Sequence, residues 1–509
     1  MSTGTDNIRI AKNTIVVYLR LIITAVIGLI TSRYVLQILG ASDFGLYSVI
    51  GGVIALFTFI SASLQATTVR FINYEMGKPA GNLMQVFNTA RQIHILFAIL
   101  IFIASEIIGI YYIQHFLNVE SGKMEDAFFI FHVSLAAACL GVINVPYQGL
   151  FVAHELFSHI ACIDIITVIL KLLMVLFLFY SDGNVLRIYA LGMSLLTIFS
   201  FIVYHYLCQR YWPSIVKYKI AKDKKQHKDI LVFNSYTLLN TASLMGRNQG
   251  SNLLINYFFG TVVNAAYTIS NTVHIYVNTF AGCFDQAAAP QITQSLSRGD
   301  NQRALYLVNH TCRVCILLVE IVYFTLMADL DFVLRLWLGE NIPDKTTVFC
   351  HLTLLLAVIS ATSGGLTQYI IGVGRLKRFS FTTAILYALA LIVGTLLYRQ
   401  GAAAYTIISL FLIVDSINRC FQLMYLRNMT NFPVSTFLRA AYARPAIIFI
   451  IGSLMVYGYQ HLHIASTSTH IIGMIVFCVF ISIIVFYIGL YAVERNKIMS
   501  NIIKKWKHE

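Results

Sequence analysis

Residues 13–45 read Asn13-Thr-Ile-Val-Val-Tyr-Leu-Arg20-Leu-Ile-Ile-Thr-Ala-Val-Ile-Gly28-Leu-Ile-Thr-Ser-Arg33-Tyr-Val-Leu-Gln37-Ile-Leu-Gly40-Ala-Ser-Asp-Phe-Gly45. This is a long apolar helix carrying two arginines, closed by the segment Gln37–Gly45 and followed by the start of a second apolar helix. The same design returns 220 residues later. Leu39-Gly40 then falls on Phe259-Gly260, Gly45 on Ala265, Tyr47 on Tyr267 and Val49 on Ile269. With the offset drifting by one or two residues, Ala90-Arg91 meets Cys312-Arg313, and Ala153-His154-Glu155 meets Gly374-Arg375-Leu376. One unit of about 220 residues used twice organises the chain.

Of 509 residues, 58% are hydrophobic and 11% charged, with a mean hydropathy of +0.74. Soluble proteins average about 25% charged residues. Apolar runs of about 20 residues, enough to cross a bilayer, fill most of the sequence, so the expected class is an all-α polytopic membrane protein. The first run, from about Thr14, is too long for the apolar part of a signal peptide and lacks a small-residue cleavage site, so it reads as a retained anchor. About fourteen transmembrane helices are expected, near 13–37, 45–66, 92–113, 127–150, 160–180, 186–208, 230–256, 262–284, 311–330, 347–371, 380–398, 402–424, 444–462 and 470–492.

With the N-terminus inside, the inner segments hold 27 Lys and Arg and the outer segments only five, Lys123, Arg187, Arg335, Lys345 and Arg399. The formal net charge of +14 is thus explained by the positive-inside rule rather than by a nucleic-acid partner. Both termini are expected in the cytoplasm, the protein being of the inner-membrane type. The nine cysteines fall within spans or at their ends, and Cys312-x-x-Cys315 lacks a second pair or a His cluster at metal-ligand spacing. They read as small buried apolar residues.

Residues 1–208 form a first six-helix bundle, 209–229 a basic cytoplasmic linker, and 230–428 a second six-helix bundle. Residues 429–509 supply two extra transmembrane helices and a basic tail. Each half has an even number of spans, so the halves are expected as a parallel repeat about an axis along the membrane normal. The polar segments Thr67 to Ala90 and Asp285 to His310 read either as helices lying along the cytoplasmic face or as ordinary loops. Asn144-Val-Pro146 and Gly364-Gly365 are candidate bend points.

An ionisable residue in the hydrocarbon costs several kcal/mol unless it faces water or a partner. Seven stand out: Arg20, Arg33, Glu106, Asp164, Lys171, Arg247 and Glu320. In the repeat Arg247 aligns with Ile27, midway between Arg20 and Arg33, so both halves place guanidinium groups on equivalent helices. Arginine captures phosphate oxygens bidentately and keeps its charge when partly desolvated. Arg33 and Arg20 can instead snorkel to the two interfaces. Asp164 and Lys171, seven apart on one helix, share a face and can be partners through a third group. Arg247 stands well inside a span with Asn234, Asn240, Asn248, Gln249 and Asn252. That polar face reads as a water-filled or sugar-binding cavity, although amides also join helices. No phosphate loop, metal-ligand cluster or nucleophile triad is present, so neither catalysis nor a cofactor is expected.

The order Asn13-Thr-x5-Arg20, then Arg33-Tyr-Val-Leu-Gln-Ile-Leu-Gly-Ala-Ser-Asp-Phe-Gly-Leu-Tyr47, then Ala66-Thr-Thr-Val-Arg-Phe71 resembles the Wzx-type polysaccharide flippases of the multidrug/oligosaccharidyl-lipid/polysaccharide exporter superfamily. Gly260-x6-Tyr267 and Ala289-Pro290 resemble that family in the second half. The resemblance implies two six-helix bundles around a central cavity and alternating access. It also implies transport of undecaprenyl-diphosphate-linked oligosaccharide (an O-antigen, capsule or exopolysaccharide repeat unit) from the inner to the outer leaflet. Cationic cavity residues are implied as well, matched here by Arg20, Arg33, Arg247 and Lys171, with Asn248 and Asn252 toward the glycan. Glu106, Asp164 and Glu320 are the candidates for ion coupling, and glycan polymerase or assembly proteins are the expected partners. A lipid II flippase and a cation-coupled multidrug exporter are the alternatives within the superfamily. The exporters typically place an acid in the first span, where this chain has none.

Overall fold

The computed structural model of the protein describes residues 3–55, 58–78, 81–115, 122–338, 342–461, 467–492 and 494–496. Among the described residues the chain is helical throughout, with no strand. The helices run α1 (Thr3–Ala55), α2 (Thr58–Gly77), α3 (Leu83–His115), α4 (Met124–Ala153), α5 (Phe157–Leu178), α6 (Val185–Tyr211) and the short α7 (Pro213–Val216). The long α8 (Lys224–Ser297) follows, then α9 (Asn301–Ala328), α10 (Leu330–Leu338), α11 (Thr346–Ala361), α12 (Gly364–Val373), α13 (Lys377–Arg399) and α14 (Thr406–Thr430). Next come α15 (Val434–Phe437), which passes through a π-helical turn at Leu438–Tyr442 into α16 (Ala443–Gln460), and finally α17 (Thr467–Ile484). With no water in the hydrocarbon to satisfy free backbone groups, an apolar chain of this kind has to bond its own backbone, and helix does so within each segment.

Nine helices among the described residues are long and apolar enough to cross a membrane, or ten when the bent pair α11–α12 counts as one. The expected number was about fourteen. Part of the difference lies in two long helices. α1 takes in Gln37–Gly45, where the sequence predicted a closing segment, and α8 contains both the 230–256 and the 262–284 spans. In α8 Gly260 has a non-helical φ of 79° and ψ of −177°. The α11–α12 junction at Gly364 bends by 43°, as the glycine pair predicted, whereas α4 continues through Pro146 to Ala153 as one helix.

The polar segments after the second helix of each half are neither surface helices nor long loops. α2 simply continues to Gly77 and α8 to Ser297, and the next helices begin at Leu83 and Asn301. Burial explains this: Thr67, Thr68, Ile72 and Asn73 on α2, and Gln291, Ile292 and Thr293 on α8, are all buried. Their polar atoms are answered within the protein. Glu75 closes the first turn by accepting from Lys78 Nζ at 2.8 Å and from the Asn82 backbone at 2.9 Å.

The chain forms two compact units. One comprises Met1–Ala242 with Thr293–Asp300, the other Ser243–Ile292 with Asn301–Glu509. The first is centred on Val35 and Leu39 of α1, Phe131 and Leu135 of α4, Val175 of α5 and Tyr189 of α6. The approach of α3 to α4 depends on Gly109, where a Cβ would lie 2.2 Å from Phe131. In the second unit, Tyr267, Phe349, Tyr387, Tyr398 and Phe411 build one core. The two added helices seat on α9 through Phe324, Val456, Phe477 and Ile481. Beyond α17, Glu494 accepts from the buried Arg313 of α9, whose guanidinium also donates to the Ala440 carbonyl at 2.7 Å.

Candidate functional site

In the second unit Arg247 does not stand free. Its NH1 lies 3.0 Å from Asp415 Oδ2 on α14, and Tyr387 on α13 donates to Asp415 Oδ1 at 2.8 Å. NH1 also reaches Tyr387 Oη at 3.3 Å, and the guanidinium lies over the rings of Tyr387 and Phe411. Arg247 and Asp415 side chains are only 9% and 5% exposed. The charge is therefore answered inside one bundle, by a partner that the reading of Arg247 as a cavity arginine did not include. Two charges withdrawn from water have to neutralise each other, and the tyrosine hydroxyl satisfies a carboxylate lone pair that would otherwise be orphaned.

The polar face of α8 divides in the same way. Asn234 belongs to the first unit, where its Oδ1 accepts from Ser63 at 3.0 Å and Thr67 at 3.2 Å. Such bonds join helices and line no cavity. Asn248 and Asn252 are half-buried, and the buried Oδ1 of Asn252 has no hydrogen-bond partner among the described residues.

The first unit carries the more accessible charges. Arg20 on α1 reaches Asp164 on α5 at 3.2 Å, with side chains 23% and 43% exposed. Asp164 thus finds its partner across the α1–α5 contact rather than through Lys171. Lys171, half-buried two turns farther along α5, has no ion-pair or hydrogen-bond partner among the described residues. Beside the pair, Thr24 Oγ1 donates back to the Arg20 carbonyl at 2.7 Å, so this hydroxyl is satisfied within α1. The side chain of Arg33 lies outside the described residues.

The three candidate coupling acids occupy different settings. Asp164 is held by Arg20. Glu320 on α9 is 2% exposed, and its Oε2 has no partner among the described residues. Glu106 on α3 faces His132 of α4, with Nε2 3.3 Å from Oε2. His132 Nδ1 lies 2.7 Å from the Phe128 carbonyl, which can only accept, so Nδ1 carries hydrogen. A neutral ring would then turn a bare Nε2 toward a carboxylate oxygen, and the contact is attractive only when the pair holds one further proton.

Sequence reasoning missed Asp415, Tyr387 and His132. Asp415 was legible by the rule that found the other seven, since it interrupts Leu410-Phe-Leu-Ile-Val414 within an expected span. Asp285 was passed over because it opens a polar segment placed outside the expected spans. The structure sets it beside the α11–α12 bend, where Oδ2 accepts from Gln368 at 2.8 Å and Oδ1 is buried without a partner among the described residues.

Comparison with solved structures gives the fold. An outward-facing multidrug resistance MATE family transporter of the MOP superfamily superposes with a TM-score of 0.69 at 13% identity, over 85% of this chain and 96% of that one. A Vibrio cholerae MATE transporter in its bent form gives 0.65 at 15% identity, over 86% and 99%. A MOP superfamily transporter from Pyrococcus furiosus, described as having a binding pocket of reverse polarity, gives 0.61 at 13% identity, over 89% and 96%. No curated protein matches the chain in sequence. The sequence profile of the polysaccharide biosynthesis protein family matches residues 10–296. That match takes in α1 and α5 with Arg20, Asp164 and Lys171, and the multi-pass helical fold around them is that of MOP superfamily transporters. The chain belongs to the polysaccharide biosynthesis protein family.

Proposed function

We propose that this protein is a flippase that carries an undecaprenyl-diphosphate-linked oligosaccharide across a bacterial inner membrane by alternating access. Its termini are cytoplasmic, and two six-helix halves are supplemented by two further helices. The observation that carries the reading is the half-exposed Arg20–Asp164 pair with an unpartnered Lys171 on the same face of α5. One carboxylate against two cations leaves a net positive charge among apolar helices. A drug cation would be repelled there, whereas a diphosphate would be attracted. In this mechanism the diphosphate displaces Asp164 and takes the guanidinium fork of Arg20, a bidentate geometry that a lysine cannot offer. Lys171 supplies a second point charge, and the prenyl chain stays in lipid. Arg247 supports the second unit structurally, and Glu106 with His132 is the pair best placed to hold a proton during the cycle.

The test is flipping of a fluorescent polyprenyl-diphosphate oligosaccharide in proteoliposomes. Arg20→Ala and Lys171→Ala are each expected to lower the rate at least about tenfold, since a lost charged hydrogen bond is worth about 1.5–3 kcal/mol. Full flipping by both variants would overturn the site. Absence of flipping by the wild type, in vesicles that export a cationic dye in response to a proton gradient, would favour the multidrug exporter. Preference for lipid II over other glycans would favour the lipid II flippase.

A further inference from the structure

The segment between α7 and α8 folds back on the start of α3 and borders an open cavity of about 530 Å³, within the roughly 300–1,000 Å³ of ordinary ligand sites. Its wall is held by amides. Asn88 Nδ2 donates to the Lys217 carbonyl at 3.1 Å, and Asn88 Oδ1 accepts from the Lys219 backbone at 3.1 Å. Gln85 Nε2 donates to Asp223 Oδ2 at 3.0 Å. These bonds fix residues 217–223 in an extended path. The acid of that path is already engaged: Asp223 Oδ1 caps α8, accepting from the backbones of Lys225 at 2.9 Å and Gln226 at 3.1 Å.

The ammonium groups of the path are not. Lys219 and Lys222 line the cavity and are exposed, and their ammonium groups have no hydrogen-bond or ion-pair partner among the described residues. Between them Ile220, which also lines the cavity, is 61% exposed. An exposed isoleucine between two free lysines is costly in water and suited to the headgroup zone of a membrane, where apolar and anionic groups lie side by side.

We propose that this cavity binds the phosphate-bearing headgroup of a lipid in the leaflet on the basic side of the molecule. Lys219 and Lys222 take the phosphate oxygens, and Ile220 with Met84 contacts the glycerol and first methylenes. The site is separate from Arg20 and needs no assumption about what the protein transports.

The full-length protein in detergent is titrated with phosphatidylglycerol or phosphatidylcholine, and bound lipid is counted by native mass spectrometry. Wild type is expected to retain phosphatidylglycerol selectively. The K219Q/K222Q double variant is expected to bind it about 30-fold more weakly, at roughly 1 kcal/mol for each lysine. K224Q/K225Q removes the same charge from the first turn of α8, outside the cavity, and is expected to bind as wild type. Equal losses in the two double variants would mean a diffuse basic field and would overturn the site, as would equal retention of the two lipids. An excess of inorganic phosphate distinguishes the sources. Retention in its presence supports the lipid, and displacement would overturn the lipid assignment in favour of a soluble phosphate ligand.

Discussion

At the residue scale, Arg247 and Arg20 carry the same charge and face opposite consequences when removed. Arg247→Ala leaves Asp415 buried with only Tyr387 beside it, a loss of about 3–5 kcal/mol. Replacing both charges by apolar groups, Arg247→Met with Asp415→Leu, removes the desolvation penalty along with the attraction. Thermal unfolding in detergent is therefore expected to show a clear fall for the single variant and recovery for the double. A double variant as unstable as the single would mean that the pair does more than neutralise itself. The sequence showed that Arg247 was exceptional, but not why. A charge in a span is visible from composition, whereas its partner is 168 residues away and is fixed only by packing. Asp164 was seen on the face it shares with Lys171 while its partner Arg20 on α1 was not, for the same reason: position along one helix is legible, and the facing helix is not.

At the element scale, Gly260 decides where α8 changes direction. Its φ and ψ lie in a region that only glycine occupies without strain of about 1–3 kcal/mol. Gly260→Ala is expected to lower the unfolding temperature. Gly246→Ala, on the same helix where a Cβ meets nothing within 4 Å, is expected to raise it slightly, because alanine is the better helix former by about 1 kcal/mol. Equal shifts of one sign would deny the special role of position 260. The repeat singled out Gly260 only as the counterpart of Gly40, and one glycine costs a helix so little that sequence alone does not say whether the helix breaks there. Two adjacent glycines at 364–365 gave a firmer signal, and the chain bends there.

At the scale of the whole molecule, the helical class was legible because it is a sum over many residues. The anchoring of the two added helices on α9 through Phe324 and Glu494 was not, since each contact is a single pairing across the fold. Nor was the ownership of α8. Its first residues and its last both belong to the first unit, where Asn234 holds Ser63 and Thr67, and Ser297 donates to the Tyr74 carbonyl. A fragment of residues 1–222 expressed alone is thus expected to be degraded or to aggregate. Co-expression with residues 223–509 should restore a monodisperse peak in size-exclusion chromatography. A well-behaved 1–222 fragment would overturn this.

The seam in the coding sequence and the seam in the fold are consequently different places. Splitting the gene at the basic linker yields a first polypeptide that lacks the two ends of α8 and a second that carries them in addition to its own complete unit. The first-half product is then an unfinished protein awaiting complementation, and duplicating that half would not by itself make two independent copies.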